Sequence, residues 1–326
     1  MEENAGTNLT EYINIQSDFG FKFVFGNRKN KGAIIRFLNV IFAGKLTVTD
    51  VVFHDKEILP AFKDGKRIIY DVYCTSPLKR EDSPYFPADQ TKADKANSDA
   101  NHHFILEMQN INTPPFEERL TYYTCKGVAG QGVSGWNYEL EPVFTVAVTN
   151  FNFNHLSPRL LHDMVIMDSE THETLTDKFH IILCSLQEVH KTWEECKSEL
   201  EKALYLIKNM ENMSSESLAY REGNFSEFFE AARSSRLSKD DIIPYKQSLE
   251  YLHEVQRGID YAKEQAAQEA HAKGLAQGIA QGIAQGMDKG RKEERIIMAA
   301  NLKALNIDPE TIAKASGLSV DQIRNL

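Results

Sequence analysis

Hydrophobic positions follow two rhythms along this chain. After a phenylalanine-rich entry, FGFKFVFG, apolar residues fall at Ile34, Ile35, Leu38, Ile41 and Phe42, the three- and four-residue spacing of a helix with one face laid on a sheet. LTVTDVVFHDKEI then reads as a strand, and FKDGKR as a turn whose Asp64-Gly65 pair favours a hairpin. RIIYDVYC and HFILEMQN are two short runs rich in Ile, Val, Tyr and Phe, so the first three strands are expected to form an antiparallel meander. NTPPFEERLTYYTCKGVAGQGV opens on two prolines, suited to a helix entry, and runs helical to its glycines. EPVFTVAVTNF follows as a buried strand, the order a βαβ crossover requires. HDMVIMD and KFHIILCSL, separated by the polar turn SETHETLTD, extend the sheet. From Thr192 onward the pattern is helical, with Trp193, Cys196, Leu200, Leu204 and Ile207 on one stripe. The fold class expected is α/β, a central mixed sheet flanked by helices with a helical C-terminal extension.

Where the rhythm breaks, domain boundaries suggest themselves. Residues 76–101 carry Pro, Asp, Ser, Lys and Ala without a hydrophobic period, which predicts a flexible loop inside a core of residues 1–190. Residues 191–270 form a helical region on or beside that core. In 271–295, glycines at 274, 278, 282, 286 and 290 recur every four residues. Each interior glycine costs a helix about 1 kcal/mol relative to alanine, so the segment is either a helix whose glycine ridge admits a second helix or a tether. A four-residue repeat overshoots the helical turn and cannot make a left-handed heptad seam. Residues 296–326 read as a small helical module, opened by Asp308-Pro309 and again by Ser319. Its last helix carries one arginine, Arg324, and few base-reading residues, so a packing or dimerisation cap suits it better than a DNA-reading unit.

Composition narrows the class. The 326 residues are 42% hydrophobic and 26% charged, with no apolar run long enough to span a bilayer, and MEENAGTNLTEY has neither the basic start nor the apolar centre of a secretory signal. A cytoplasmic protein is expected. Cys74, Cys125, Cys184 and Cys196 lie far apart with no C-x-x-C pair, which argues for free thiols rather than disulfides or a zinc knuckle. The histidines between His155 and His180 have no tight metal spacing. Net charge is −10, yet between Ser17 and Arg80 twelve lysines and arginines face only six acids. Arg28, Lys29, Lys31 and Arg36 come without an acid among them, as phosphate contacts or as a solvated face.

Candidate chemistry concentrates in the two central strands. Asp71 and Glu107 are single carboxylates set in apolar runs, and burying each is costly without compensation. Side by side they would raise one another's pKa or recruit a divalent cation, and Gln109, two residues after Glu107, projects from the same strand face.

These residues, with SDFGFKFVFG, FLNVIF, YDVYC, ILEMQN, FEERLTYYTCKG and PVFTVAVTNF in that order, resemble the PD-(D/E)XK nuclease superfamily in its Glu-x-Gln version, and more closely the recombination-promoting nuclease/transposase family. The resemblance implies a restriction-endonuclease-like fold and a metal-dependent DNA endonuclease linked to recombination or mobile elements. Asp71 and Glu107, with the carbonyl after Glu107, would hold Mg²⁺ or Mn²⁺. Gln109 stands where the superfamily usually has lysine. Asp18 matches an acid that often joins the metal shell, or it caps a turn. Arg119, Tyr123 and Lys126 share a helix face. Arg119 would bind the scissile phosphate or orient Glu107, or else pair with Glu117 or Glu118 while Tyr123 enters the core. Lys22, Arg28, Lys29 and Lys31 are the expected DNA contacts. The long 76–101 segment departs from the family's short connection, as a surface loop or a flap. The alternatives are a non-cleaving DNA-binding protein and a partner-recruiting protein on a decayed nuclease fold.

Overall fold

A computed structural model describes residues 9–55, 57–58, 68–77, 101–132 and 139–326. The expected Asp64-Gly65 turn and residues 78–100 of the expected loop lie outside these residues, while Ser76, Pro77 and Asn101 belong to strands.

A six-stranded sheet organises the molecule, in the order β1 (Val52–Phe53), β4 (Val72–Pro77), β5 (Asn101–Gln109), β6 (Val143–Thr149), β8 (Thr174–Ser185) and β7 (Leu161–Met167). β1, β4 and β5 pair antiparallel, β5, β6 and β8 parallel, and β7 closes the edge antiparallel. The expected crossover is therefore present, with α3 (Phe116–Ala129) linking the parallel pair β5 and β6. A separate two-stranded ladder joins β2 (Glu57–Ile58) and β3 (Ile68–Ile69).

Alternation along β4, β5, β6 and β8 sorts the two faces. Val72, Cys74, Phe104, Leu106, Met108, Phe144, Val146, Val148, Ile182 and Cys184 enter the main core. That core is shared with α1 (Asp18–Phe25), α2 (Lys31–Ile41), α4 (Glu199–Asn209) and α6 (Ser226–Ala232). Ile105, Val143, Ala147 and Leu183 face the other way, toward the α3 side. Gly127 lets α3 approach closely, since a β-carbon there would stand 3.0 Å from Val143 Cγ1 and 3.1 Å from Ile105 Cδ1.

Three sequence expectations are corrected. The first meander strand is two short ones, β1 in the main sheet and β2 in the separate ladder, and its start lies outside the ladder where the Asn39 side chain both donates to Val48 O (2.8 Å) and accepts from Val48 N (2.7 Å). RIIYDVYC is two strands broken at Asp71, for reasons that belong to the site. The Trp193–Ile207 stripe is not one helix: Ser198 and Glu201 form a capping box that starts α4 at Glu199, leaving Trp193 and Cys196 buried in the turns before it.

Two units divide the chain, residues 1–255 and 256–326, and α7 (Lys239–Ala304) runs through the boundary. In the first unit its opening turns tie to the entry segment: Asn14 N donates to Tyr245 Oη (2.9 Å) and Phe19 N to Ser248 Oγ (3.0 Å). In the second unit Ala299 packs with Ile312 of α8 (Pro309–Ser316) and Ile323 of α9 (Val320–Arg324). Asp308 caps α8 with Pro309 at its first turn, Ser319 caps α9, and Gly317 ends α8 in the left-handed region at φ +72°. The glycine repeat is helical, and a β-carbon at Gly274, Gly278, Gly282, Gly286 or Gly290 would meet nothing within 4 Å. Among the described residues no helix is long and apolar enough to cross a membrane.

Candidate active site

Asp71 sits at the bend ahead of β4, opposite Glu107 of β5, and side chains replace the ladder there. Its carboxylate Oδ2 accepts from Met108 N at 2.9 Å, while its own N–H donates to Glu107 Oε1 at 3.3 Å. These reciprocal bonds interlock the two acids and explain why the strand breaks at that residue. Glu107 is 6% exposed and the Asp71 side chain 13%. Burial, and then the charge of Asp71, pushes the Glu107 carboxyl well above the ordinary range. Burial also raises Asp71, against the pull of Lys22 and the Met108 amide.

The cation beside the pair comes from α1. Lys22 Nζ lies 3.0 Å from Asp71 Oδ1 and 2.6 Å from Asp18 Oδ1, bridging two acids on different elements. Asp18 does not cap α1; Ser17 does, accepting from Gly20 N at 3.0 Å. Asp18 thus reaches the neighbourhood of Asp71 through Lys22.

From β5, Gln109 shares the Glu107 face and is held at both ends of its amide. Oε1 accepts from Arg119 Nη2 at 2.7 Å, and Nε2 donates to Ile111 O at 2.9 Å. Arg119 stacks on Phe116 at 4.8 Å, and its Nε is buried without a partner among the described residues. The alternative partners, Glu117 and Glu118, do not hold it; Gln109 does. Tyr123 is half-buried, edge-on to Tyr70 at 5.2 Å, and burial and Glu107 raise its pKa. Lys126 lies over the Tyr122 ring at 5.6 Å rather than beside the acids. Arg28 and Lys29 are exposed on a 3-10 turn, Lys31 pairs with Asp50 at 2.8 Å, and Arg36 pairs with Glu199.

With this geometry in place, comparison with known proteins is decisive on one point. The family model described as PD-(D/E)XK nuclease family transposase matches residues 15–80 and 94–262, well over half of the chain. The chain belongs to this family. The match takes in both Asp71 and the Glu107–Gln109 segment, and it omits 81–93, inside the long connection that departs from the family pattern. The fold is the restriction-endonuclease-like mixed sheet flanked by helices with a helical extension. No curated protein and no solved structure matches the chain.

This family member carries a second polar chain that sequence reading missed. Tyr73 Oη lies 2.8 Å from His103 Nδ1, and His103 Nε2 lies 2.5 Å from Glu141 Oε2. Strand alternation was the available signal: His103 is four residues before Glu107 in β5, and Tyr73 is paired with Ile105, two before Glu107, so both share the Glu107 face. Lys22 was visible in sequence as a cation, but its bond to Asp71 was not.

Whether a divalent cation fits can be judged from the donors. Two carboxylates meet in a buried setting, one amide nitrogen satisfies one oxygen of Asp71, and Lys22 supplies the charge in contact with it. Among the described residues no group of three or more His, Cys, Asp or Glu is arranged to hold a metal ion. A two-carboxylate, all-oxygen set suits Mg²⁺, which keeps several waters and takes few protein ligands.

Proposed function

We propose that this protein is a divalent-metal-dependent DNA endonuclease that hydrolyses phosphodiester bonds, with a role linked to recombination or mobile elements in the cytoplasm. The observation that carries the reading is the interlocked, buried Asp71–Glu107 pair inside a nuclease-family fold. Asp71, Glu107 and the main-chain carbonyl of Met108 would hold Mg²⁺ or Mn²⁺. A cation so bound lowers the pKa of its water and neutralises charge on the phosphate oxygens.

The chain's own residues supply the rest. Gln109, clamped by Arg119 and Ile111 O, keeps one amide N–H free to orient a water or donate to a phosphate oxygen. Arg119 fixes that amide and offers further guanidinium donors to a phosphate. Tyr123 walls the acids on the α3 side, and Asp18 assists by holding Lys22. Exposed Arg28 and Lys29, with Lys31, would track the DNA backbone, a contribution that falls steeply with salt. Homo-oligomerisation is assigned to the C-terminal helices, where Leu275, Ile279, Ile283 and Met287 are exposed beside the glycine repeat.

The test is cleavage of supercoiled plasmid at low salt with Mg²⁺, with EDTA, and with Asp71→Ala. Nicking or linearisation that requires the metal and vanishes in the variant supports the reading. Plasmid retention without cleavage moves the function to DNA binding alone.

A further inference from the structure

We infer that Lys22 is the resident counter-cation of the Asp71–Glu107 site, that it and a divalent cation occupy Asp71 in mutual exclusion, and that its release hands the ammonium to the DNA phosphate. This deepens the nuclease reading and rests on it.

The argument starts from which cation touches a candidate ligand. Lys22 Nζ is 3.0 Å from Asp71 Oδ1, the oxygen not engaged by Met108 N. Two carboxylates, Asp71 and Asp18, converge on this one ammonium, as they would on a metal. Arg119 acts on the Glu107 side of the site, where it clamps Gln109 and stacks on Phe116, and Lys126 lies over Tyr122; the cation in contact with Asp71 is Lys22. Gln109 is neutral, so β5 brings no cation to Asp71, and the one at contact distance comes from α1.

α1 itself is not free to move. Ser17 caps it, Phe21, Val24 and Phe25 are fully buried, and Phe19 N is bonded to Ser248. The Lys22 side chain, 31% exposed on a four-carbon stem, is the part able to rearrange. A divalent cation on Asp71 would repel an ammonium at contact distance, and a phosphate drawn to the same place would attract it. Metal and DNA therefore favour each other by one factor, because each removes Lys22 from the other's competitor state.

The test is Mn²⁺ binding to the full chain, followed by room-temperature EPR of the free ion, with and without a cleavage-resistant phosphorothioate duplex. Wild type is compared with Lys22→Met, Lys22→Arg and Asp71→Asn. Without DNA, Lys22→Met should bind Mn²⁺ about tenfold more tightly than wild type, with Lys22→Arg close to wild type. The duplex should tighten wild-type binding by about the same factor and leave Lys22→Met unchanged. Equal or weaker binding by Lys22→Met, with all binding lost in Asp71→Asn, overturns the Lys22 assignment alone. Wild type and Lys22→Met both binding no better than Asp71→Asn would overturn the metal-dependent reading and this inference with it.

Discussion

Glu107→Gln should stabilise the metal-free protein while abolishing the proposed metal binding. The substitution keeps the shape and the acceptor that Asp71 N reaches at 3.3 Å, and it removes a carboxylate that is 6% exposed beside another carboxylate. Each pH unit over which the folded carboxyl holds a proton that the unfolded chain has lost costs about 1.4 kcal/mol. Arg119 and Lys22 offset part of the upward push, since both pull the Glu107 pKa down, and a gain of about 1–3 kcal/mol is expected at neutral pH. Each kcal/mol moves Tm by about 2–4 °C in a unit of this size. The pH dependence has a definite sign. Because the folded-state pKa of Glu107 is raised, the native protein keeps a proton that the unfolded chain loses first. Wild-type stability is undiminished below the ordinary carboxylate range and falls as pH rises toward the folded value. The gain from Glu107→Gln should thus be near zero in acid and largest at neutral and alkaline pH. Thermal melts in EDTA from pH 4 to 8 measure it. Adding Mg²⁺ should reverse the order, since ligand binding to the folded state stabilises wild type only. A variant that is less stable at pH 8 in EDTA, or a gain equal at pH 4 and pH 8, would refute the reasoning.

Two further substitutions probe the scaffold. Gly20→Ala would place a β-carbon 1.9 Å from Asn14 O, a backbone atom, and should cost more than about 3 kcal/mol in urea denaturation followed by tryptophan fluorescence; a cost under about 1 kcal/mol would contradict the packing of α1. Gly278→Ala with Gly282→Ala, where a β-carbon meets nothing, should stabilise α7 by about 1 kcal/mol each by far-UV circular dichroism, whereas a loss of stability would place the self-association contact on the glycine ridge itself rather than on the apolar positions beside it.

Much of the α/β order was legible because its periodicity is strong. β6, β7 and β8 follow their apolar runs, and α2 and α3 their spacing and proline entry. Failures came where a side chain intercepted backbone bonds. Asn39 withheld Val48 from β1, Ser198 with Glu201 delayed α4, and Asp71 broke its own strand by bonding to Met108. Hydrophobic periodicity encodes none of these: the Ser198–Glu201 box is a local motif that the apolar stripe ran across, while the Asn39 and Asp71 bonds depend on how separate segments meet in the fold.

The candidate site divides along the same line. The chain by itself determined the two carboxylates in apolar surroundings, the Glu-x-Gln face and the crossover helix behind it, because strand alternation and burial cost act locally. Only the tertiary structure decided which cation meets Asp71. Arg119 and Lys126 share one helix face in sequence, yet Gln109 holds the first and the second lies over Tyr122. Lys22, 49 residues before Asp71, reaches it because the buried phenylalanines of α1 set that helix against the edge of the sheet where β4 begins. Electrostatic partnership is a property of distances across the fold, and the hydrophobic core sets those distances.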